Sequence, residues 1–218
     1  MEKKDVQIIK LIAIVTMLVD HIGLVFFEDV TIFRIIGRLA LPLYAFLLSE
    51  GMKYTHSRKE YLKRLFLIAA ISQIPFILLI GMKFNVIFGL LLSALCIYFI
   101  EEKKYALVGL ILISSILVPI DYTIFMVLMP MIFYFFKQKW LQFIYFYIIC
   151  IFMVLVYGYI SIFHLFALVF IFFIPYLMKN IKLKKSFLMS PMFSYFYRIF
   201  YPLHLIILFF ISVIIKSL

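Results

Sequence analysis

The sequence predicts an all-α, polytopic membrane bundle of about nine transmembrane helices, and three observations lead to it. Of 218 residues, 67% are apolar and only 14% are charged, against roughly half and a quarter in soluble domains. Apolar runs of spanning or near-spanning length recur along the whole chain, separated by short polar turns. Basic residues collect in every second turn. The chain is therefore read as a single integral membrane domain over 1–218, multi-pass in a bacterial cytoplasmic membrane, with the lipid bilayer as its first partner.

A membrane span needs about 20 apolar residues, somewhat fewer in a tight bundle. The first run, 8–27, has that length, and no small-residue cleavage site follows it, so it is expected to stay as a helix. The second, 32–51, starts after the acidic turn of Glu28 and Asp29 and ends at a basic stretch. The third, 61–81, contains Pro75, which removes one helical hydrogen bond. Runs 84–100, 105–120 and 122–136 are short, and one of them is a candidate re-entrant or half-spanning helix. Runs 140–157 and 160–178 flank an uncharged YGY turn, and 196–215 closes the chain. No internal repeat is visible.

The turns set the orientation. One set holds Lys3, Lys4, Lys53, Arg58, Lys59, Lys63, Arg64, Lys103, Lys104, Lys137, Lys139, Lys179, Lys182, Lys184 and Lys185; the other holds Lys83 and Lys216. Fifteen basic residues face two. The positive-inside rule then places the N-terminus in the cytoplasm and the C-terminus outside. The net charge of +11 is accounted for by these turns, so no nucleic-acid partner is expected.

With that orientation, polar residues of several spans fall in the outer half of the bilayer. Asp20 and His21 lie about 10–12 Å below the outer end of the first span. Arg34 and Arg38 are one turn apart on the second, and counting residues back from the turn pairs Asp20 with Arg38. Gln73 is in the outer half of the third span, Asn85 opens the fourth, and His164 lies one turn into the eighth. His204 is two turns into the last span, reachable from the cytoplasm or mid-bilayer and below the outer cluster. An ionisable side chain in a bilayer costs about 2.5–3.5 kcal/mol on insertion scales, so each is a functional candidate.

For Asp20 with Arg38, a structural ion pair locking two helices stands against a catalytic role. For His21, a core histidine satisfied by a carbonyl stands against a base or nucleophile whose tautomer a partner fixes. His164, among interfacial aromatics, is read first as an anchor, and His56 as a solvated loop residue. Cys96 and Cys150 lie in separate apolar segments without ligand spacing and read as buried thiols; no metal site is expected. No HExxH helix, serine elbow or phosphate-cradling glycine loop occurs.

The elements IKLIAIVTMLVDHIG (9–23), RIIGRLALPLYAFLLSEGMKYTHSRKEYLKRL (34–65), ISQIPF (71–76) and FYPLHLIIL (200–208) together resemble the TraX family. The first ~85 residues and the last helix carry the likeness; residues 86–190 match in hydropathy. The resemblance implies acetyl transfer from acetyl-CoA, with no metal, to an amine at a pilin N-terminus. In this chain the acceptor is left open as an amine or hydroxyl of a peptide, a pilin-like protein or an envelope glycan.

On that reading His21, Asp20, Arg38 and His204 are the catalytic candidates, with Arg38 meeting the oxyanion and His204 the thioester. Gln73, Arg34, Glu50 and Asn85 are the substrate-binding candidates. Lys53, Arg58, Lys59, Arg64 and Arg198 are the candidates for the donor's phosphates. The alternatives from other classes are a small transporter or channel with a polar pathway, and a non-catalytic membrane partner of a secretion or conjugation complex. The oligomeric state is open.

Overall fold

The computed structural model describes residues 1–177, 179 and 187–217. Met178, the last residue of the eighth expected span, and Lys182, Lys184 and Lys185, counted for orientation, lie outside the described residues.

Every regular element among the described residues is helical: α1 (Lys3–Phe26), α2 (Thr31–Gly37), α3 (Ala40–Tyr54), α4 (Arg58–Leu79), α5 (Val86–Glu101), α6 (Tyr105–Leu117), α7 (Thr123–Phe135), α8 (Lys139–Tyr157), α9 (Phe166–Leu177) and α10 (Pro191–Ser217), with short 3-10 segments at Tyr159–Leu165 and Phe187–Met189. Taking α2 with α3 as Thr31–Tyr54, and α9 with its 3-10 lead as Tyr159–Leu177, six helical stretches are long and apolar enough to cross a bilayer. The other three, α5, α6 and α7, have 16, 13 and 13 residues. At 1.5 Å per residue they reach about 20–24 Å, short of a ~30 Å hydrocarbon core. The nine expected segments are thus present, but as six candidate spans and three shorter apolar helices. The last helix also begins at Pro191, five residues before the expected start.

The chain divides into two compact units, residues 1–47 with 150–218, and residues 48–149. In the first, α1 and α2 form an antiparallel hairpin. Its turn is closed by Phe27 stacking on Phe33 at 5.2 Å. Two glycines set how closely the helices approach: a Cβ on Gly23 would strike Phe33, and one on Gly37 would strike the Asp20 carboxylate. Helix α10 runs alongside α1 in the same direction, because contacts join His21 to His204 at one level and Lys10 to Tyr197 at another.

In the second unit α5 is the central helix. Leu90, Leu91, Ala94, Cys96 and Ile97 are buried on several of its faces, against α4, α6 and α7. The Ser93 hydroxyl donates to the Val127 carbonyl at 2.7 Å, and Cys96, Val108 and Val127 form a core cluster. Helix α4 has the opposite character on its outer side. Phe66, Ile71, Ile74 and Leu78 are exposed while Ala69, Ser72 and Phe76 are buried, the pattern of a helix with small residues turned inward and large apolar ones towards lipid. Both cysteines are free and buried.

Candidate active site

The polar side chains of the first unit are placed by α1, α2, α10 and the 3-10 segment. His21 and His204 are both buried. His204 Nε2 lies 3.0 Å from His21 Nδ1, and His204 Nδ1 lies 2.9 Å from the Phe200 carbonyl one turn back. A carbonyl only accepts, so His204 Nδ1 carries a proton and donates it to Phe200. With both rings neutral, His204 Nε2 is then the acceptor and His21 Nδ1 the donor. The Met17 carbonyl is a further backbone acceptor for the His21 ring. The remaining nitrogen, His21 Nε2, is the one with a lone pair. Phe200 stacks on the His204 ring at 5.1 Å and 6°, and Tyr201 meets its edge at 5.4 Å, so the ring is held in place.

This corrects the expected position of His204. It does not lie below the outer cluster; it meets His21 directly. Helix α10 is 27 residues long, so His204 is at its middle and level with a residue in the last third of α1. The partner that orients His21 is a second imidazole.

Asp20 forms an ion pair with Arg34 at 2.9 Å, one turn nearer the loop than the expected Arg38. The contact is between charges and lacks the alignment of a hydrogen bond. Counting along the hairpin finds the level opposite Asp20: Gly37, next to Arg38 in the chain, packs there, and Arg34 is one turn nearer the loop. Arg38 stands at the break after α2, its amide bonded to the carbonyls of Arg34 and Ile35.

His164 was read first as an anchor and left out of the candidate site. It is wholly buried in the 3-10 segment, with Nδ1 2.6 Å from the Ser161 carbonyl, and Arg38 is the charge acting on it. By the same tautomer argument its Nε2 carries a lone pair. Only its depth, one turn into the eighth span, signalled this in the sequence.

Of the remaining candidates, Gln73, Asn85, Glu50, Lys53 and Arg58 have polar partners inside the second unit. In the second unit Gln73 Oε1 accepts from the Asn85 backbone amide at 3.1 Å and from Asn85 Nδ2 at 2.9 Å, and Gln73 Nε2 donates to the Lys83 carbonyl at 2.8 Å. Asn85 also donates to the Ala69 carbonyl and caps α5 by accepting from Ile87. Together they join the end of α4 to the start of α5.

Glu50 pairs with Lys53 at 3.3 Å, and Lys53 also donates to the Phe133 carbonyl at 2.8 Å, near the C-terminus of α7. Arg58 pairs with Glu101 and with the Tyr134 hydroxyl, which itself donates to Glu101. Lys59 and Arg64 are exposed, Arg64 over the Tyr61 ring. In the first unit Arg198 lies 5.7 Å over the Tyr195 ring. Among the described residues no group of three or more His, Cys, Asp or Glu side chains is placed to hold a metal.

Comparison with known proteins follows the same lines. The family described as "TraX protein" matches residues 5–212. A probable fimbrial assembly protein FimC (serogroup H1) of Dichelobacter nodosus is 40% identical over 72 residues, covering 31% of this chain and 29% of that protein. An uncharacterized protein of Rickettsia prowazekii (strain Madrid E) is 45% identical over 40 residues, 18% of this chain and 16% of its own length. The matches thus span less than a third of either curated relative. No solved structure matches the chain. With nearly the whole length matched, this multi-pass protein of a bacterial membrane belongs to the TraX family.

Proposed function

We propose that the protein is a membrane-bound acetyltransferase. It takes acetyl from cytoplasmic acetyl-CoA and gives it to an amine or hydroxyl acceptor at the extracytoplasmic side. The observation that carries this reading is the His21–His204 pair, buried and with its tautomers set by the Phe200 carbonyl. TraX membership is consistent with pilin acetylation. The partial likeness to a protein named for fimbrial assembly favours a pilin-like acceptor. The shared direction of α1 and α10 accords with termini on opposite faces, and the basic turns favour the N-terminus in the cytoplasm.

In this mechanism the acceptor nitrogen or oxygen attacks the thioester carbonyl carbon while its proton passes to His21 Nε2. The carbonyl electron pair moves onto oxygen, where the Arg38 guanidinium stabilises it. Collapse re-forms the C=O bond and breaks the C–S bond. The departing thiolate takes the proton from His21 Nε2, leaving free CoA and acetylated acceptor. His204 accepts from His21 Nδ1 throughout and spreads the positive charge that His21 briefly holds. Asp20 with Arg34 keeps α1 against α2, so that His21 does not rotate away.

The test is incubation of purified protein with radiolabelled acetyl-CoA and an amine-terminated pilin-type peptide. Label is expected on the peptide with the wild type and at background with His21→Ala, at unchanged thermal stability. A folded, fully active His21→Ala protein removes His21 from the chemistry. The name of the Dichelobacter relative also favours a second reading, a non-catalytic assembly partner. That reading expects no label in either protein.

A further inference from the structure

Basic residues named as candidates for the donor's phosphates differ in whether a carboxylate neutralises them. In the second unit Lys53 and Arg58 are both paired with carboxylates, and Lys53 also satisfies a carbonyl near the end of α7. They are in use as internal ties. In the first unit Lys10 is half-buried on α1 and Arg198 exposed on α10. Among the described residues neither has a carboxylate partner. Asp5, the acidic residue next to Lys10 along α1, is turned to cap its own helix by accepting from the Glu2 amide at 3.1 Å. The Lys10 ammonium sits 5.2 Å over the Tyr197 ring, and the charges acting on it most are the like charges of Arg198 and Lys3. A half-buried ammonium held among like charges without a carboxylate partner costs free energy that an anionic ligand recovers.

From this arrangement we infer that Lys10 and Arg198 form the phosphate-binding end of the donor site. They hold the phosphates of the nucleotide part of a thioester donor, in place of Lys53 and Arg58. This rests on the acetyltransferase reading above and extends it. Lysine supplies a point charge and arginine a planar fork, a combination suited to adjacent phosphoryl groups. Lys10 and His21 are on one helix, about 16 Å apart along its axis, and Arg198 and His204 about 9 Å apart on the parallel one. An elongated donor, phosphates at one end and thioester at the other, fits between two such levels. Lys10 had no assigned role in the sequence reading, where it is simply a lysine inside the first span.

The experiment is calorimetric binding of free CoA, and of pantetheine, to purified protein in nanodiscs of zwitterionic lipid. Lys10→Gln and Arg198→Gln are each expected to weaken CoA binding about tenfold to a hundredfold, the loss of one charge-assisted contact. Pantetheine binding is expected to stay unchanged, and Lys10→Arg to retain CoA affinity, separating charge from folding. Lys103→Gln, at an exposed lysine with no part in the site, serves as the control and is expected to bind CoA normally. Unchanged CoA affinity in both Gln variants overturns the assignment, as does absence of CoA binding by the wild type. Complete competition by phosphatidylglycerol added to the nanodiscs also overturns it, since the phosphate held is then a lipid headgroup. CoA binding without acetyl transfer keeps the site and removes the transferase reading. Transfer with unaltered CoA affinity in the variants does the reverse.

Discussion

The two units contain similar polar residues and use them differently. In residues 48–149 amides and charges are matched into closed sets: Gln73 with Asn85, Glu50 with Lys53, Arg58 with Glu101 and Tyr134. The sets tie α3 and α4 to α5 and α7, two helices too short to span alone. In residues 1–47 and 150–218 Asp20 pairs with Arg34, but two other sets stay open. The His21–His204 pair ends on a nitrogen with a lone pair, and Lys10 and Arg198 face each other's charge. A buried group that is fully satisfied stabilises; one left with spare capacity is available for chemistry. Polar residues inside a membrane therefore divide into structural and chemical ones by what their partners leave over.

Substitutions sharpen this division. The largest effect is expected from His21→Ala: a fall in acetyl transfer of about 10²–10⁴-fold, the usual worth of a general base, with the melting temperature in detergent unchanged. Next is Gly37→Ala, whose new methyl group enters the space of the Asp20 carboxylate. It is expected to displace the Asp20–Arg34 pair and lower both activity and melting temperature, an overpacking cost of about 1–3 kcal/mol. Asn85→Ala removes a helix cap and contacts to Gln73 and Ala69. Here a stability loss of about 1–2 kcal/mol is expected by thermal unfolding, with the turnover per folded molecule unaffected. Smallest is Glu101→Gln. Its pair with Arg58 is about one-third exposed on both sides, so the loss is expected to be about 1 kcal/mol or less. A large activity loss in either second-unit variant, at normal folding, breaks the division.

Much of the architecture was legible because bilayer thickness and helical rise leave few choices. The first apolar run was read as 8–27 and the helix is Lys3–Phe26; the seventh was read as 140–157 and is Lys139–Tyr157. Hydropathy does not distinguish a full span from a short apolar helix packed among others, so α6 and α7 look alike in both roles. The site was legible in its residue types but not in its pairings. Level counting finds the position opposite Asp20, where Gly37 packs, but not the further pair with Arg34 one turn away. His204 was placed too deep because the start of α10 was set five residues late and the offset between two parallel helices is not written in either one. The anion-facing pair of Lys10 and Arg198 is separated by most of the chain, and only packing brings it together.

The central claim is that His21 and His204 act as one proton-handling unit, and a double-mutant cycle on the rate of labelled acetyl transfer tests it most directly. The account predicts that His204→Ala lowers the rate and that adding it to His21→Ala costs nothing further, because groups acting as a unit are strongly non-additive. Rate losses that simply multiply, or a His204→Ala protein as active as the wild type, would contradict it.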